Sequence, residues 1–251
     1  MGSRTTVDSD ERLLDIVAAL KRERVAGVTD LAESLDLPKS SVHAHLATLR
    51  DRGYVVQDDG DRYRPGLTFL DVGVVARDSR RIYAEAEPKL EELAAETGEK
   101  AWCVVEEQGQ GVLLAKALGD RAIQTNARVG EHVALYRLAA GKAILANLPP
   151  ERRREILDGY SYPLEGTDTT RASFEAELEA VRDRGVAFGN ERFIQGVTGV
   201  AAPVTDNSGR VYGAITISGP TNRLTGDRLE QDLADLVRGA TGELQLNLSY
   251  L

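Results

Sequence analysis

Apolar positions follow a helical period over the first part of the chain and an alternating one after about residue 98. Leu13, Leu14, Val17, Ala18 and Leu20 stand at helical spacing behind Asp8, Ser9 and Asp10, any of which can cap the helix. Gly27 ends that unit. Leu31, Ala32 and Leu35 mark a second short helix over about 29–35, with Thr29 or Asp30 as its cap. After the turn Asp36-Leu37-Pro38, a third helix runs from about Lys39 to Arg52. Its stripe is Val42, Leu46 and Leu49, and Gly53 stops it. Tyr54-Val55-Val56 and Arg62-Tyr63-Arg64 then flank a polar turn holding Asp59-Gly60, a hairpin signal. Three helices and a hairpin, with a tight turn between the second and third helices, make a winged helix-turn-helix over 7–73.

The helical pattern continues to Thr97, and 74–97 reads as a linker helix. Pro88 is expected to interrupt or begin it, with Leu90, Leu93 and Ala94 on its apolar face. Beyond Gly98 the pattern predicts strands at 101–106, 112–117, 200–205 and 211–218. It predicts helices at 138–148, 151–157, 172–184 and 227–248. The fold class is α+β, and 98–251 forms an antiparallel-sheet domain with helices packed on it.

Composition narrows the function. The 251 residues hold 40 acidic and 31 basic side chains, a net charge of −9, which excludes a globally basic nucleic-acid binder but not a local basic face. Lysine is scarce beside arginine, and the acid excess fits a salt-rich, haloarchaeal-type interior. One cysteine, Cys103, rules out an internal disulfide and a cysteine zinc site, and reads as a buried structural thiol. No apolar run is long enough for a membrane span, and Met1-Gly2-Ser3-Arg4 leads into no apolar core of a secretory leader. Gly2 to Thr6 fits a myristoylation pattern only loosely. A cytoplasmic protein is expected.

Enzyme chemistry finds no support. Gly141-Lys142 lacks the upstream glycine of a phosphate loop, where Tyr136 stands, and Ala143 replaces the Ser or Thr. His43 and His45 do not share a helix face as metal ligands would, and no G-x-S-x-G occurs. No catalytic residue, metal or cofactor is expected. The third helix instead offers Lys39, Ser40, Ser41, His43 and Thr48 to a DNA groove, and the wing offers Arg62 and Arg64. Asp58, Asp59 and Asp61 would repel phosphate, so only the wing's flanks are expected to touch DNA. Residues 1–80 hold 12 basic and 14 acidic side chains, a balance that also suits a protein-binding winged helix.

Several segments together resemble the IclR family of transcriptional regulators. They are Leu35-Asp36-Leu37-Pro38-Lys39-Ser40-Ser41-Val42-His43, Leu49-Arg50-Asp51-Arg52-Gly53-Tyr54, Ala139-Ala140-Gly141-Lys142-Ala143-Ile144-Leu145-Ala146, Arg182-Asp183-Arg184-Gly185-Val186-Ala187, Val200-Ala201-Ala202-Pro203-Val204 and Gly213-Ala214-Ile215-Thr216-Ile217-Ser218-Gly219-Pro220. No single piece is specific, but their order and spacing are, and they extend over nearly the whole chain. The resemblance implies a winged helix-turn-helix, a linker helix and a GAF-like effector domain. It also implies dimers or tetramers on palindromic operators, and small carboxylates or aromatic acids as effectors. Carried over by position, the effector pocket is lined by Ala139, Ala140, Gly141, Gly189, Val197, Gly199, Thr216 and Ser218. Amides at a helix start attract a carboxylate, and the hydroxyls of Thr216 and Ser218 would hold its other oxygen. Arg137, just before that helix, is a further handle.

The chain departs from the family's keto-acid binders. Gly189 stands where they tend to have Asp, Gly199 where they tend to have Cys, and Ala44 replaces a common recognition-helix Arg. A roomier, less polar pocket is therefore expected. The expected function is a DNA-binding regulator that senses a small metabolite, an organic acid, and alters operator binding as a homodimer or homotetramer. The alternative is constitutive DNA binding, with the carboxyl-terminal domain serving only for assembly. The acid excess predicts that the fold loosens as potassium chloride is withdrawn. Thermal melts in molar and in dilute KCl should give a lower midpoint in dilute salt, and equal midpoints would contradict a salt-adapted surface.

Overall fold

The computed structural model describes residues 6–189 and 191–249, so the Gly2–Thr5 part of the loose myristoylation pattern lies outside the described residues. The chain divides between Ala76 and Arg77 into two compact units. The first contains α1 (Asp8–Glu23), β1 (Ala26–Gly27), α2 (Val28–Leu35), α3 (Lys39–Asp51), β2 (Val55–Asp58) and β3 (Arg62–Pro65). Its core takes Leu31 and the stripe Val42, Leu46 and Leu49 as predicted, closed by Val55 and Tyr63 of the hairpin, but α1 buries Ile16, Ala19 and Leu20, while Leu14 and Ala18 of its expected stripe face solvent and Leu13 and Val17 are half-buried.

The caps differ from expectation. Val7 is the N-cap of α1, and Asp8, Asp10 and Glu11 lie in its first turn, where their charges oppose the helix dipole. Gly27 does not end α1, which stops at Arg24 with φ 67°. Gly27 pairs with Arg62 at the sheet edge and caps α2, donating its N–H to Asp30 Oδ2 at 3.0 Å.

α4 (Thr68–Asp78) spans the boundary and buries none of its residues. α5 (Arg81–Thr97) follows, so 74–97 is not one helix: the chain leaves the helix at Ser79 and re-enters after Arg80. Pro88 neither interrupts nor begins α5 but lies inside it. Proline deprives the carbonyl four residues back of its donor, and here both Pro88 and Ala84 are exposed, so water serves that carbonyl. The opposite face of α5, with Ile82, Ala86, Leu90 and Leu93, packs into the core of the second unit rather than acting as a free linker.

The second unit is a six-stranded antiparallel sheet between helices. Its strands are β4 (Lys100–Glu107), β5 (Gln110–Leu118), β6 (His132–Ala134), β7 (Ala187–Phe188), β8 (Val197–Thr205) and β9 (Val211–Pro220), in the order β6-β5-β4-β9-β8-β7. The helices are α6 (Ala139–Asn147), α7 (Pro150–Asp158), α8 (Arg171–Arg184) and α9 (Leu233–Ser249). A π-turn over Arg228–Asp232 precedes α9, which therefore starts later than its apolar pattern implies. Alternation along the strands separates two cores. Ala101, Cys103, Val105, Ile215 and Ile217 face α5 and α9, whereas Trp102, Val104, Ala201 and Ala214 share a core with α6 and α8. Burial pushes the Cys103 thiol up to about 12, so it is protonated and unreactive.

One buried charge ties the sheet to the turn before α9. Glu99 is fully buried, and Arg223 grips both its carboxylate oxygens at 3.1 and 2.7 Å. Arg228 lies 3.6 Å away. Glu99→Ala leaves these cations without their counter-charge and empties a polar site in the interior. It should cost about 3 kcal/mol or more, read from the urea midpoint, and a change within a few tenths would contradict this role.

Candidate functional site

Two surfaces carry the candidate chemistry. On the first unit, α3 buries Val42, Leu46 and Leu49 and turns Lys39, Ser40, His43 and Ala44 to solvent, with Ser41 half-buried. The turn before it forms because Asp36 adopts a left-handed conformation (φ 51°) and Pro38 starts α3. Thr48 is exposed, but its hydroxyl donates to the Ala44 carbonyl at 3.0 Å. The wing arginines are already engaged. Arg62 donates to the Val25 carbonyl at 3.0 Å and lies 3.6 Å from Asp30. Arg64 reaches both oxygens of Asp58 at 3.1 Å. Arg50 and Asp61 are bridged by Gln57, with 2.7 Å bonds on each side.

On the second unit, strand register builds a cleft floor. Lys100 pairs with Ser218 and Trp102 with Thr216, while Gly199 and Ala201 pair with the same two β9 residues from the other side. Leu113, Ile123 and Ala127 form one wall. The start of α6 and the segment after β7 form the rest, and the cleft volume is about 80 Å³. Arg137, Ala139, Ala140, Gly189, Val197, Gly199, Thr216 and Ser218 all line it. Gly141 does not: a Cβ there would stand 2.1 Å from the Leu135 carbonyl oxygen, so this glycine lets α6 pack on the preceding turn.

The glycines at 189 and 199 have a backbone reason. Gly189 donates its N–H to the Gly199 carbonyl at 2.7 Å, and a Cβ on Gly199 would meet the Ile217 carbonyl oxygen at 2.4 Å. Close strand approach, rather than extra room, accounts for them. The cleft itself, at about 80 Å³, is smaller than the about 150 Å³ cavity that accepts a benzene ring, and it adjoins a more open hollow of about 570 Å³ that shares Ile123, Thr125, Ala127 and Val197. The hydroxyl of Thr216 is also committed, donating to the Val200 carbonyl at 3.0 Å, so it can only accept from a ligand. The Ser218 hydroxyl makes no hydrogen bond among the described residues, although its backbone stands in the ladder between Lys100 and Gly199. Arg137 donates through Nε to the Arg192 carbonyl at 3.0 Å.

The sequence reading missed Lys100 and Trp102. Lys100 is buried, donates to Thr125 Oγ1 at 2.9 Å and lies 5.9 Å from the Trp102 ring. Burial, with a smaller contribution from Lys116, holds its pKa below the usual lysine range. The available signal was the alternation Lys100-Ala101-Trp102-Cys103-Val104, which puts Lys100 on the same face as Trp102. Lys142, by contrast, is a structural cation: it is buried and ion-paired to Glu177 at 2.7 Å.

Comparison with known proteins agrees with this architecture. The family model described as "Bacterial transcriptional regulator IclR C-terminal" matches residues 74–245, and the "IclR helix-turn-helix domain" matches 10–59. A Halobacterium salinarum protein named "Probable HTH-type transcriptional regulator ArcR" is 30% identical over 94% of this chain and 91% of its own length. The chain belongs to the IclR family of transcriptional regulators. The Thermotoga maritima IclR structure matches with a TM-score of 0.78 at 26% identity, over 97% of this chain and 98% of that one. An IclR homolog from Microbacterium hydrocarbonoxydans complexed with 4-hydroxybenzoate shares the fold with a TM-score of 0.80 at 19% identity, over 96% of this chain and 98% of that one.

As an IclR-family member the chain joins a DNA-binding helix-turn-helix to an effector domain, and the families and relatives it matches are regulators rather than enzymes. Among the described residues no group of three or more His, Cys, Asp or Glu is placed to hold a metal, and no helix is long and apolar enough to cross a membrane.

Proposed function

We propose that this IclR-family chain is a sequence-specific regulator that takes a small organic acid in its carboxyl-terminal cleft and thereby alters operator binding as a homodimer or homotetramer. The observation that carries the reading is the half-open, mainly apolar cleft with a buried cation on its floor, in the domain that follows a helix-turn-helix. Such a pocket suits a small anionic ligand with an apolar body. The 4-hydroxybenzoate complex of a structural neighbour supports an acid as the ligand class.

At the DNA end, Lys39, Ser40, Ser41 and His43 approach base edges and phosphates from the exposed start of α3. Thr48 contributes as an acceptor. Two such helices in a dimer enter successive major grooves about 34 Å apart. Arg62 and Arg64 reach phosphate only by exchanging Asp30 and Asp58 for it, so their contribution to affinity is smaller than that of free cations. The effector acts by binding one arrangement of the two winged helices more tightly than another.

Anisotropy titrations of a bound DNA fragment across a salt series test the DNA contacts. The Arg62→Ala, Arg64→Ala double variant should flatten the slope of log affinity against log salt by about one to two units. Ser41→Ala and His43→Ala should change sequence preference by about 1–3 kcal/mol at individual base pairs. An unchanged slope contradicts wing contact, and a uniform loss across sequences places Ser41 and His43 on phosphates.

A further inference from the structure

We propose that Lys100 is the counter-charge that selects the effector, a short apolar monocarboxylate lying against the Trp102 indole with its acid group on the Lys100–Ser218 row of the sheet. The proposal rests on the reading of the cleft as an effector site. It replaces the start of α6 by a side chain as the element that reads the acid.

Lys100 is 5% exposed and has no carboxylate within 4.0 Å among the described residues. Buried ammonium groups are ordinarily paired, because removing one from water costs several kcal/mol even after the protein relaxes. The contrast within this chain is direct. Lys142 is also buried and holds Glu177, and the buried Glu99 holds Arg223. Lys100 has only the neutral Thr125 hydroxyl and a ring face 5.9 Å away. The acid that lines the cleft, Glu191, is exposed and accepts the N–H of Gly196 at 2.7 Å, so it serves its own loop. The missing charge is therefore an anion supplied from outside.

Neighbouring groups give that anion a seat. Ser218 stands opposite Lys100 on β9, and both line the cleft. Its hydroxyl is unused among the described residues. Thr125 accepts from Lys100 and keeps its own proton to donate. A carboxylate beside Lys100 thus meets an ammonium and two hydroxyl donors. The α6 start adds the amides of Ala139 and Ala140, but a helix terminus carries roughly half a charge, against the full charge of Lys100. Arg137 is half-buried and already bonded to the Arg192 carbonyl. The wall at Val104, Leu113, Ile123, Leu138 and Val197 is apolar, the further cation of the lining, Arg192, is bonded to the Thr169 hydroxyl at 2.9 Å, and the volume of about 80 Å³ beside Lys100 fits a body of a few carbons.

Trp102 is the chain's one tryptophan, so its emission reports the cleft in the full-length protein. The probes are butyrate, the neutral butyramide, and 4-hydroxybenzoate as a larger acid. The variants are Lys100→Met, which keeps the chain length and removes the charge, and Lys116→Met, which removes the second lysine near the ring, 5.6 Å away. Butyrate should shift the emission saturably, and butyramide should bind at least about tenfold more weakly. Lys100→Met should lose at least about tenfold in butyrate affinity, and Lys116→Met less than about twofold.

Without ligand, Lys100→Met should melt higher than the parent, since it removes an uncompensated buried charge; a merely structural lysine would lower the midpoint. Equal binding of butyrate and butyramide, or full butyrate affinity in Lys100→Met, overturns the proposal and leaves the cleft as a site with another basis for selection. Tighter binding of 4-hydroxybenzoate than of butyrate overturns the size limit. Absence of binding of all three probes to the parent, by emission and by calorimetry, overturns both the proposal and the effector reading beneath it.

Discussion

Side-chain alternation along β4 is the constraint on which the carboxyl-terminal unit depends. The strand lies inside the sheet between β5 and β9, so both of its faces are covered. Ala101, Cys103 and Val105 fill the core beneath α5 and α9, while Lys100, Trp102 and Val104 line the cleft. A slip of one residue would exchange these sets, burying an ammonium and an indole in the aliphatic core. Glu99 holds the register at the strand's start, because its carboxylate is tied to Arg223 and Arg228 on a distant segment. A bulge opposite Cys103 and Val104 absorbs one extra residue of β5 and keeps the following pairs in phase. The same strand thus supplies structural packing on one side and the floor of the cleft on the other.

The DNA-binding unit solves a different electrostatic problem. Acidic residues sit against the wing's cations: Asp58 of the wing itself holds Arg64, and Asp30 of α2 lies beside Arg62. Exposed pairs of this kind contribute little to stability. Their consequence is for the surface charge: a phosphate would reach the wing's cations only by displacing these carboxylates. The exposed start of α3, with Lys39, Ser40 and His43, is left as the less encumbered part of the surface. Affinity then depends less on bulk charge than it does for a basic protein, in keeping with a net charge of −9.

The helical core of the first unit and the paired strands of the second were legible from periodicity alone. Val42, Leu46 and Leu49, and the runs at 200–205 and 211–218, lie where their spacing placed them. The short strands β6 and β7 were not, since two or three residues carry no period. Pro88 misled because a proline's cost in a helix depends on whether water reaches the orphaned carbonyl, a property of the folded surface. Most of the cleft lining followed from the family resemblance, yet Gly141 proved to be a packing glycine. Gly199 marks close strand contact, which only the register with Ile217 and Ser218 reveals. Lys100 stayed hidden for the same reason: its place opposite Ser218, with no carboxylate within 4.0 Å among the described residues, appears only in the folded sheet.

In the proposed function, occupancy of the cleft is coupled to binding of DNA by the helix-turn-helix. Chromatin immunoprecipitation with sequencing, from cells grown on several carbon sources, reads the DNA end of that coupling while the metabolite supply is varied. Discrete binding sites whose occupancy changes with carbon source are the predicted result. The same sites with the same occupancy on every source would contradict the coupling and leave the carboxyl-terminal unit as an assembly module.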